Sequence, residues 1–170
     1  DTWVDYVFRV VSVAGLAMPT FVTGTVLVLF LVLFFGWLPP LAFVNIWEKP
    51  LDSLTQLAFP ALVLGYSLSA VVSRMTRSTA LEVLRRDYMR TARSKGLRER
   101  VVITRHALKN ALLPVVTLLG LQVGMLLSNT VVVETIFAVP GLGRGLVGDI
   151  VGRDFPLVQV AVLTISVWFM

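Results

Sequence analysis

The sequence predicts an all-α fold, a polytopic membrane helix bundle of about four spans with a basic two-helix loop between the second and third. Three observations predict it. Of 170 residues, 56% are hydrophobic and only 15% charged, where a soluble domain has roughly 45–50% apolar residues, and the mean hydropathy is +0.84. The charges fall in clusters separated by long uncharged stretches. Most of the basic residues gather in one of those clusters.

The uncharged stretches define the spans. No charged residue lies between Arg9 and Glu48, between Asp52 and Arg74, between Lys109 and Glu134, or after Asp154. A hydrocarbon core of about 30 Å takes about 20 helical residues at about 1.5 Å each, and the first three stretches meet that length. The first span is read over residues 13–35, with Pro19 near its start and Gly36, Pro39 and Pro40 at its end. Trp37 and Trp47 stand where an interfacial belt would place them. The second is read over residues 54–73 with Pro60 near its start, and the third over residues 111–133 with Pro114 near its start. Proline is tolerated there because neighbouring helices and hydroxyls can satisfy the carbonyl it frees. The fourth begins at Phe155 or Pro156 and is short of a full span as it stands. One apolar run alone would equally suit a soluble core helix; three of spanning length argue against that.

Eleven of the fifteen Lys and Arg residues lie between Arg74 and Lys109, opposed there only by Glu82, Asp87 and Glu99. A short loop rich in Lys and Arg stays on the cytoplasmic side. Residues 1–9 are then also cytoplasmic, and residues 36–52 and 134–154 lie outside. Within the loop, spacing predicts a helix over residues 76–95 with Leu81, Leu84, Tyr88 and Thr91 or Ala92 on one face. Gly96 follows where a left-handed cap belongs. A second helix runs from about Arg98 into the third span, with Val101, Thr104, Leu108 and Leu112 on one face. Anionic lipid, nucleic acid and a cytoplasmic protein are the three partners such a loop admits. Tyr88 is its only aromatic, which argues against nucleic acid. A glycine after a helix of small residues favours a structured docking element.

The residues exclude several chemistries. Cys is absent and His106 stands alone, so the chain offers no thiolate or histidine metal cluster. Paired carboxylates and a Ser–His set are also missing, and no catalytic residue is assigned. His106 reads as a helix-surface residue. The run Ala138-Val-Pro-Gly-Leu-Gly-Arg-Gly-Leu lacks the third glycine of G-x-G-x-x-G and any following Lys-Ser or Lys-Thr, so it reads as an outer turn and not a phosphate cradle. Glu134 is an ionisable residue at the end of a span and so a functional candidate, although a solvated or salt-bridged role is the plainer reading. Gln122, Ser128 and Asn129 join it as candidates for a translocation path, with hydrogen bonding between helices as the alternative.

Four segments carry a family resemblance. Asp87-Tyr-Met-Arg-Thr-Ala-Arg-Ser-Lys-Gly-Leu and Arg105-His-Ala-Leu-Lys-Asn-Ala-Leu-Leu-Pro114 resemble the cytoplasmic loop of ABC importer permeases, most closely the dipeptide, oligopeptide and nickel subgroup. Val133-Glu-Thr-Ile-Phe-Ala-Val-Pro-Gly-Leu-Gly-Arg144 and Phe35-Gly-Trp-Leu-Pro-Pro40 resemble the same subgroup, and together these runs reach over most of the chain. The wider importer pattern is Glu-Ala-Ala, three residues, Gly, nine residues, Ile-x-Leu-Pro. Here Arg90, Thr91 and Ala92 fill the triplet, Gly96 the glycine and Leu108 the leucine, while His106 replaces the isoleucine and Lys109 the proline.

The resemblance implies a type I importer permease in the bacterial cytoplasmic membrane. Its expected partners are a second permease, two ATPase subunits, an external binding protein and membrane lipid, with no nucleic acid. ATP and Mg would sit on the ATPase subunits and no cofactor on this chain. Residues 1–170 would form one transmembrane domain, the third to sixth spans of a six-span subunit with the last incomplete. Residues 74–109 would be its cytoplasmic coupling loop. Arg90, Thr91, Ala92, Arg93, Ser94, Lys95, Gly96 and Leu97 would couple to an ATPase. Peptide is the expected substrate, with nickel or another small solute as the alternative. A membrane scaffold for cytoplasmic partners and a lipid-embedded enzyme are the competing classes, and detergent purification separates them by whether ATPase subunits co-purify.

The topology makes a direct prediction. With single cysteines placed by Ser94→Cys and Asp149→Cys, an impermeant maleimide applied to intact cells should label the second and spare the first. The reverse pattern would invert the assignment.

Overall fold

The computed structural model describes residues 2–40 and 42–169, so Asp1 and Met170, the ends of the expected domain, lie outside the described residues. The described chain is helical. In order it forms α1 (Trp3–Ala17), α2 (Thr20–Phe35), α3 (Pro50–Leu84), α4 (Asp87–Ser94) and the short α5 (Glu99–Val101). A π-helical turn (Val102–Ala107) then leads directly into α6 (Leu108–Ile136), followed by α7 (Leu142–Val151) and α8 (Phe155–Phe169). No strand occurs among the described residues.

The span pattern is met with three adjustments. α3 and the helix that starts at Glu99 are each long and apolar enough to cross a bilayer, and α1 with α2 make a third span if that broken pair is counted as one. The break falls at Met18–Pro19, inside the stretch read as one span: Pro19 is extended (φ −57°, ψ 145°) and caps α2 instead of sitting within it. Its carbonyl accepts from the Val22 and Thr23 N–H groups at 2.9 and 3.2 Å, because a proline cannot continue the helix behind it. α8, with 15 residues, is shorter than a span. α3 does not stop at Ser73 but continues to Leu84, so the loop helix expected over residues 76–95 is divided at Arg85–Arg86 into the end of α3 and α4. Pro60 and Pro114, by contrast, lie inside unbroken helices.

By contacts the chain divides into two units, Asp1–Leu16 with Leu68–Val123 and Ala17–Ser67 with Gly124–Met170. The core of the first is Val83, Met89, Ala92, Val102, Ala107 and Ala111, with Ala80 and Leu84 against it. This matches the face periodicity predicted only in part: Ala92 belongs to the core and Leu84 packs against it, but Leu81 and Tyr88 are exposed, as are Val101, Leu108 and Leu112. The division at Arg85–Arg86 resets the phase of α4, which turns Met89 inward in place of Tyr88. On the other helix, the π-helical turn puts an extra residue into one turn and brings Val102, Ala107 and Ala111 to the buried side.

The second unit is built on Val63, Val133 and Phe137, with Leu27, Val28, Phe59 and Ile136 packed around them. Trp37 belongs to this cluster: its ring lies 4.5 Å from that of Phe59, centroid to centroid, so it is a packing residue where a belt residue was expected. Trp47 is 89% exposed, as a belt residue would be. The polyproline segment is followed by a turn held by Gln56. This buried side chain donates to the Ala42 carbonyl at 3.3 Å and accepts from the Val44 N–H at 3.3 Å.

The two faces of the basic loop separate in a stability measurement. Met89 is fully buried and Leu81 is 47% exposed. Met89→Ala should therefore cost about 2–5 kcal/mol, seen as a clear fall in the melting temperature of the purified protein, while Leu81→Ala should stay below about 1 kcal/mol.

Candidate functional site

The expected coupling residues surround α4. A helix of eight residues is too short to hold itself in water, and α4 is held by two side chains on its inner face. Met89 and Ala92, at i and i+3, reach the core formed with Val102, Ala107 and Ala111. Of the eight expected residues, Ala92 is thus an anchor and not part of the surface. Arg90, Thr91, Arg93, Ser94, Lys95, Gly96 and Leu97 are exposed. The hydroxyls of Thr91 and Ser94 bond back to the Asp87 and Thr91 carbonyls at 3.2 and 2.9 Å. The outward chemistry is then that of the cations Arg90 and Lys95 and the apolar Leu97.

Gly96 has φ +74°, the left-handed conformation the sequence required of it. Its N–H bonds to the Arg93 carbonyl at 2.9 Å, and the Lys95 N–H to the Thr91 carbonyl at 3.2 Å. A Cβ added there meets nothing within 4 Å, so the constraint on this position is backbone strain and not crowding. Beyond the turn, Arg93 pairs with Glu99 through two bonds, Nη2 to Oε1 at 2.8 Å and Nε to Oε2 at 3.2 Å. The hydrogen bonds to Glu99 push the Arg93 guanidinium further above its already high pKa, so the pair remains ionised through the physiological range. Arg93, a candidate for contact with an acidic partner, already has a partner within the chain.

A further polar contact ties α4 to the membrane helix. Asn110 Nδ2 donates to the Tyr88 hydroxyl at 3.2 Å and to the His106 carbonyl at 3.0 Å. From the sequence Asn110 reads, with Pro114, as marking the entry of the helix into the bilayer, and Met89 is given no role. Met89 carried a signal in its i, i+3 relation to Ala92; the Asn110–Tyr88 contact spans 22 positions and leaves no local pattern.

The candidate path residues all lie on α6. Gln122 is half-buried and falls in the first unit, while Ser128, Asn129 and Glu134 fall in the second. Ser128 and Asn129 are exposed, as a path or a helix interface would require. Glu134 is buried at 9% exposure and faces α7. Its Oε2 accepts from the Arg144 N–H at 2.8 Å, which is one of the free donors in the first turn of α7. A carboxylate there also meets the positive end of the helix dipole.

The glycines before α7 make that contact possible. A Cβ on Gly141 would lie 2.1 Å from the Glu134 carboxyl carbon, and one on Gly143 would lie 2.5 Å from Val131 Cγ2 and 2.9 Å from Val131 Cα. The glycine-rich run is thus a turn, as expected, and its glycines let a helix end press onto α6. Glu134 is the capping group. Substitution separates crowding from propensity. Gly143→Ala should destabilise by about 1–3 kcal/mol through the clash with backbone, and Glu134→Ala by about 1.5–3 kcal/mol through the lost charged hydrogen bond. Gly148→Ala, whose Cβ meets nothing within 4 Å, should be neutral or stabilising by up to about 1 kcal/mol. Melting temperatures of the three purified variants check the order.

Residues 1–170 match the protein family described as "Binding-protein-dependent transport system inner membrane component". The chain is 42% identical over 167 residues to the glutathione transport system permease protein GsiC of Pectobacterium atrosepticum, covering 98% of this chain and 52% of that protein. It is 40% identical over 169 residues to proteins of the same name from Escherichia coli and Shigella dysenteriae, covering 99% of this chain and 53% of each. The chain spans about half the length of the curated relatives it matches.

Proposed function

The chain belongs to the binding-protein-dependent transport system inner membrane component family, and on that premise we propose that it lines the pore of an ATP-driven importer of small peptides. In this reading it pairs with a second permease, receives substrate from an external binding protein, and is driven by ATPase subunits that hold the ATP and Mg. This chain is assigned no cofactor and no catalytic residue. The observation that carries the reading is α4: a short helix fixed from within by Met89 and Ala92, with Arg90, Lys95 and Leu97 left outward at its end. A lipid-binding patch would need only the charges. The buried anchor, the left-handed glycine and the Arg93–Glu99 pair are what a surface needs if it is to pass force to the spans.

The proposed substrate class is supported by the relatives, which are glutathione transport system permease proteins. Glutathione is a tripeptide with a γ-linked glutamate, and a small peptide of this kind is the proposed cargo. Ser128 and Asn129, exposed on a helix of spanning length, are the proposed polar lining, together with Gln122. Glu134 is removed from that set because its carboxylate is occupied by α7.

The test uses the full-length permease with its ATPase subunits and binding protein in liposomes. Labelled glutathione should accumulate only with ATP inside the compartment that holds the ATPases, and excess unlabelled short peptide should compete. Gly96→Val forces a β-branched residue into a left-handed conformation that costs at least about 1–2 kcal/mol. It should leave membrane insertion intact, reduce recovery of ATPase subunits in a pull-down and bring uptake to background. Normal uptake with normal subunit recovery would show the loop to be only a solvated basic face.

A further inference from the structure

We propose that Asn110 is a positioning residue for coupling: through Tyr88 it fixes the rotation of α4 on the membrane helix, so that motion of α4 is delivered to the span and not lost in the loop. The inference rests on the coupling role of α4 and adds to it a specific transmission point.

The apolar contacts of α4 set its distance from the π-helical turn and the start of α6 but not its angle. Met89 and Ala92 lie on one face against Val102, Ala107 and Ala111, and such contacts are non-directional. A helix held along one stripe of small and flexible side chains can roll. Directional contacts prevent rolling, and α4 has one near each end. Tyr88, its second residue, meets Asn110 at 3.2 Å. Arg93, its seventh, meets Glu99 through the two-pronged pair. Both partners belong to the continuous helical stretch that begins at Glu99. The two contacts differ in what they reach. Glu99 is at the very start of that stretch, before the π-helical turn, whereas Asn110 lies beyond it in α6.

That difference matters because the stretch between them is the weakest part of the rod. The π-helical turn Val102–Ala107 departs from the regular hydrogen-bond ladder, and Pro114 offers no N–H to the carbonyl of Asn110 four residues earlier. A push received only at Glu99 would be absorbed at these two faults. Asn110 stands between them. Its amide reaches back into the end of the first fault by donating to the His106 carbonyl at 3.0 Å, and the same nitrogen reaches α4. Beside the contact is a cleft of about 330 Å³ bordered by Thr79, Glu82, Arg86 and Pro114. Tyr88 therefore has open space beside it, and the hydrogen bond, not crowding, determines where it sits.

The experiment measures transport per ATP hydrolysed in the full-length reconstituted complex, with Asn110→Ala, Tyr88→Phe and the double variant. Each single variant should retain normal recovery of ATPase subunits and near-normal ATP hydrolysis, while substrate imported per ATP falls several-fold. The double variant should be no worse than Asn110→Ala, since one contact is lost in both. Tyr88→Phe keeps the ring and removes only the hydroxyl, so it remains informative if Asn110→Ala does not assemble. Unchanged import per ATP in Tyr88→Phe would overturn the proposal, as would loss of subunit recovery, which would make the pair part of the docking surface. Gly96→Val separates the two levels: if it abolishes uptake while Tyr88→Phe is inert, the coupling role of α4 stands and the transmission point is elsewhere.

Discussion

The burial of Met89 and Ala92 is the contact on which the basic loop depends. α4 has eight residues, well below the length at which an isolated helix persists, and a net positive surface that would favour an open, hydrated chain. Placing two apolar side chains against Val102, Ala107 and Ala111 offsets the cost of ordering it. The partners are small: alanine at 107 and 111 lets the α4 backbone come close enough for Met89 to be fully covered. Once that face is fixed, the rest of the loop has little freedom. Gly96 must turn with positive φ, Arg93 comes within reach of Glu99, and Tyr88 within reach of Asn110.

The outer turn solves the same problem by different means. α7 has ten residues and a first turn containing two glycines, a poor helix start by propensity. Here the fixing contact is polar. Glu134 supplies from α6 the acceptor that no residue of the turn provides, and Gly141 and Gly143 give up side chains so that the two backbones can approach. Stability lost to glycine is recovered in a buried, charge-assisted hydrogen bond. The result is a short helix whose position is defined by a single carboxylate, on a segment read as lying outside the membrane.

These two devices mark where sequence reading reaches its limit. The spans were legible because the absence of charge over about 20 residues is a property of a window and needs no register. Gly96 was legible because a glycine after a helix of polar and small residues has few other uses. Faces were less legible. Their assignment depends on phase, and the division at Arg85–Arg86 and the π-helical turn each shifted phase without a sequence marker as strong as proline. Pro19 was such a marker, and its strength was underestimated: it ends a helix there, while Pro60 and Pro114 do not. Contacts across a turn were not legible at all. Glu134 was noticed for being ionisable, yet its use follows from three-dimensional proximity to Arg144, ten positions away.

In the proposed coupling, a small displacement of α4 must be conserved over the length of a span. Stiffness along a helix is supplied by its backbone ladder, so every interruption of the ladder is a place where displacement can be lost. The helix that begins at Glu99 has two such interruptions within its first turns, at residues 102–107 and at Pro114. Side-chain bonds near them can then carry more mechanical weight than their modest energies suggest. Asn110, with one nitrogen shared between the His106 carbonyl and the Tyr88 hydroxyl, lies between the two interruptions and bonds both its own helix and α4. An exposed hydrogen bond of this kind contributes little to whether the protein folds. Its consequence in the proposed coupling is geometric: it sets the orientation of α4 on the helix.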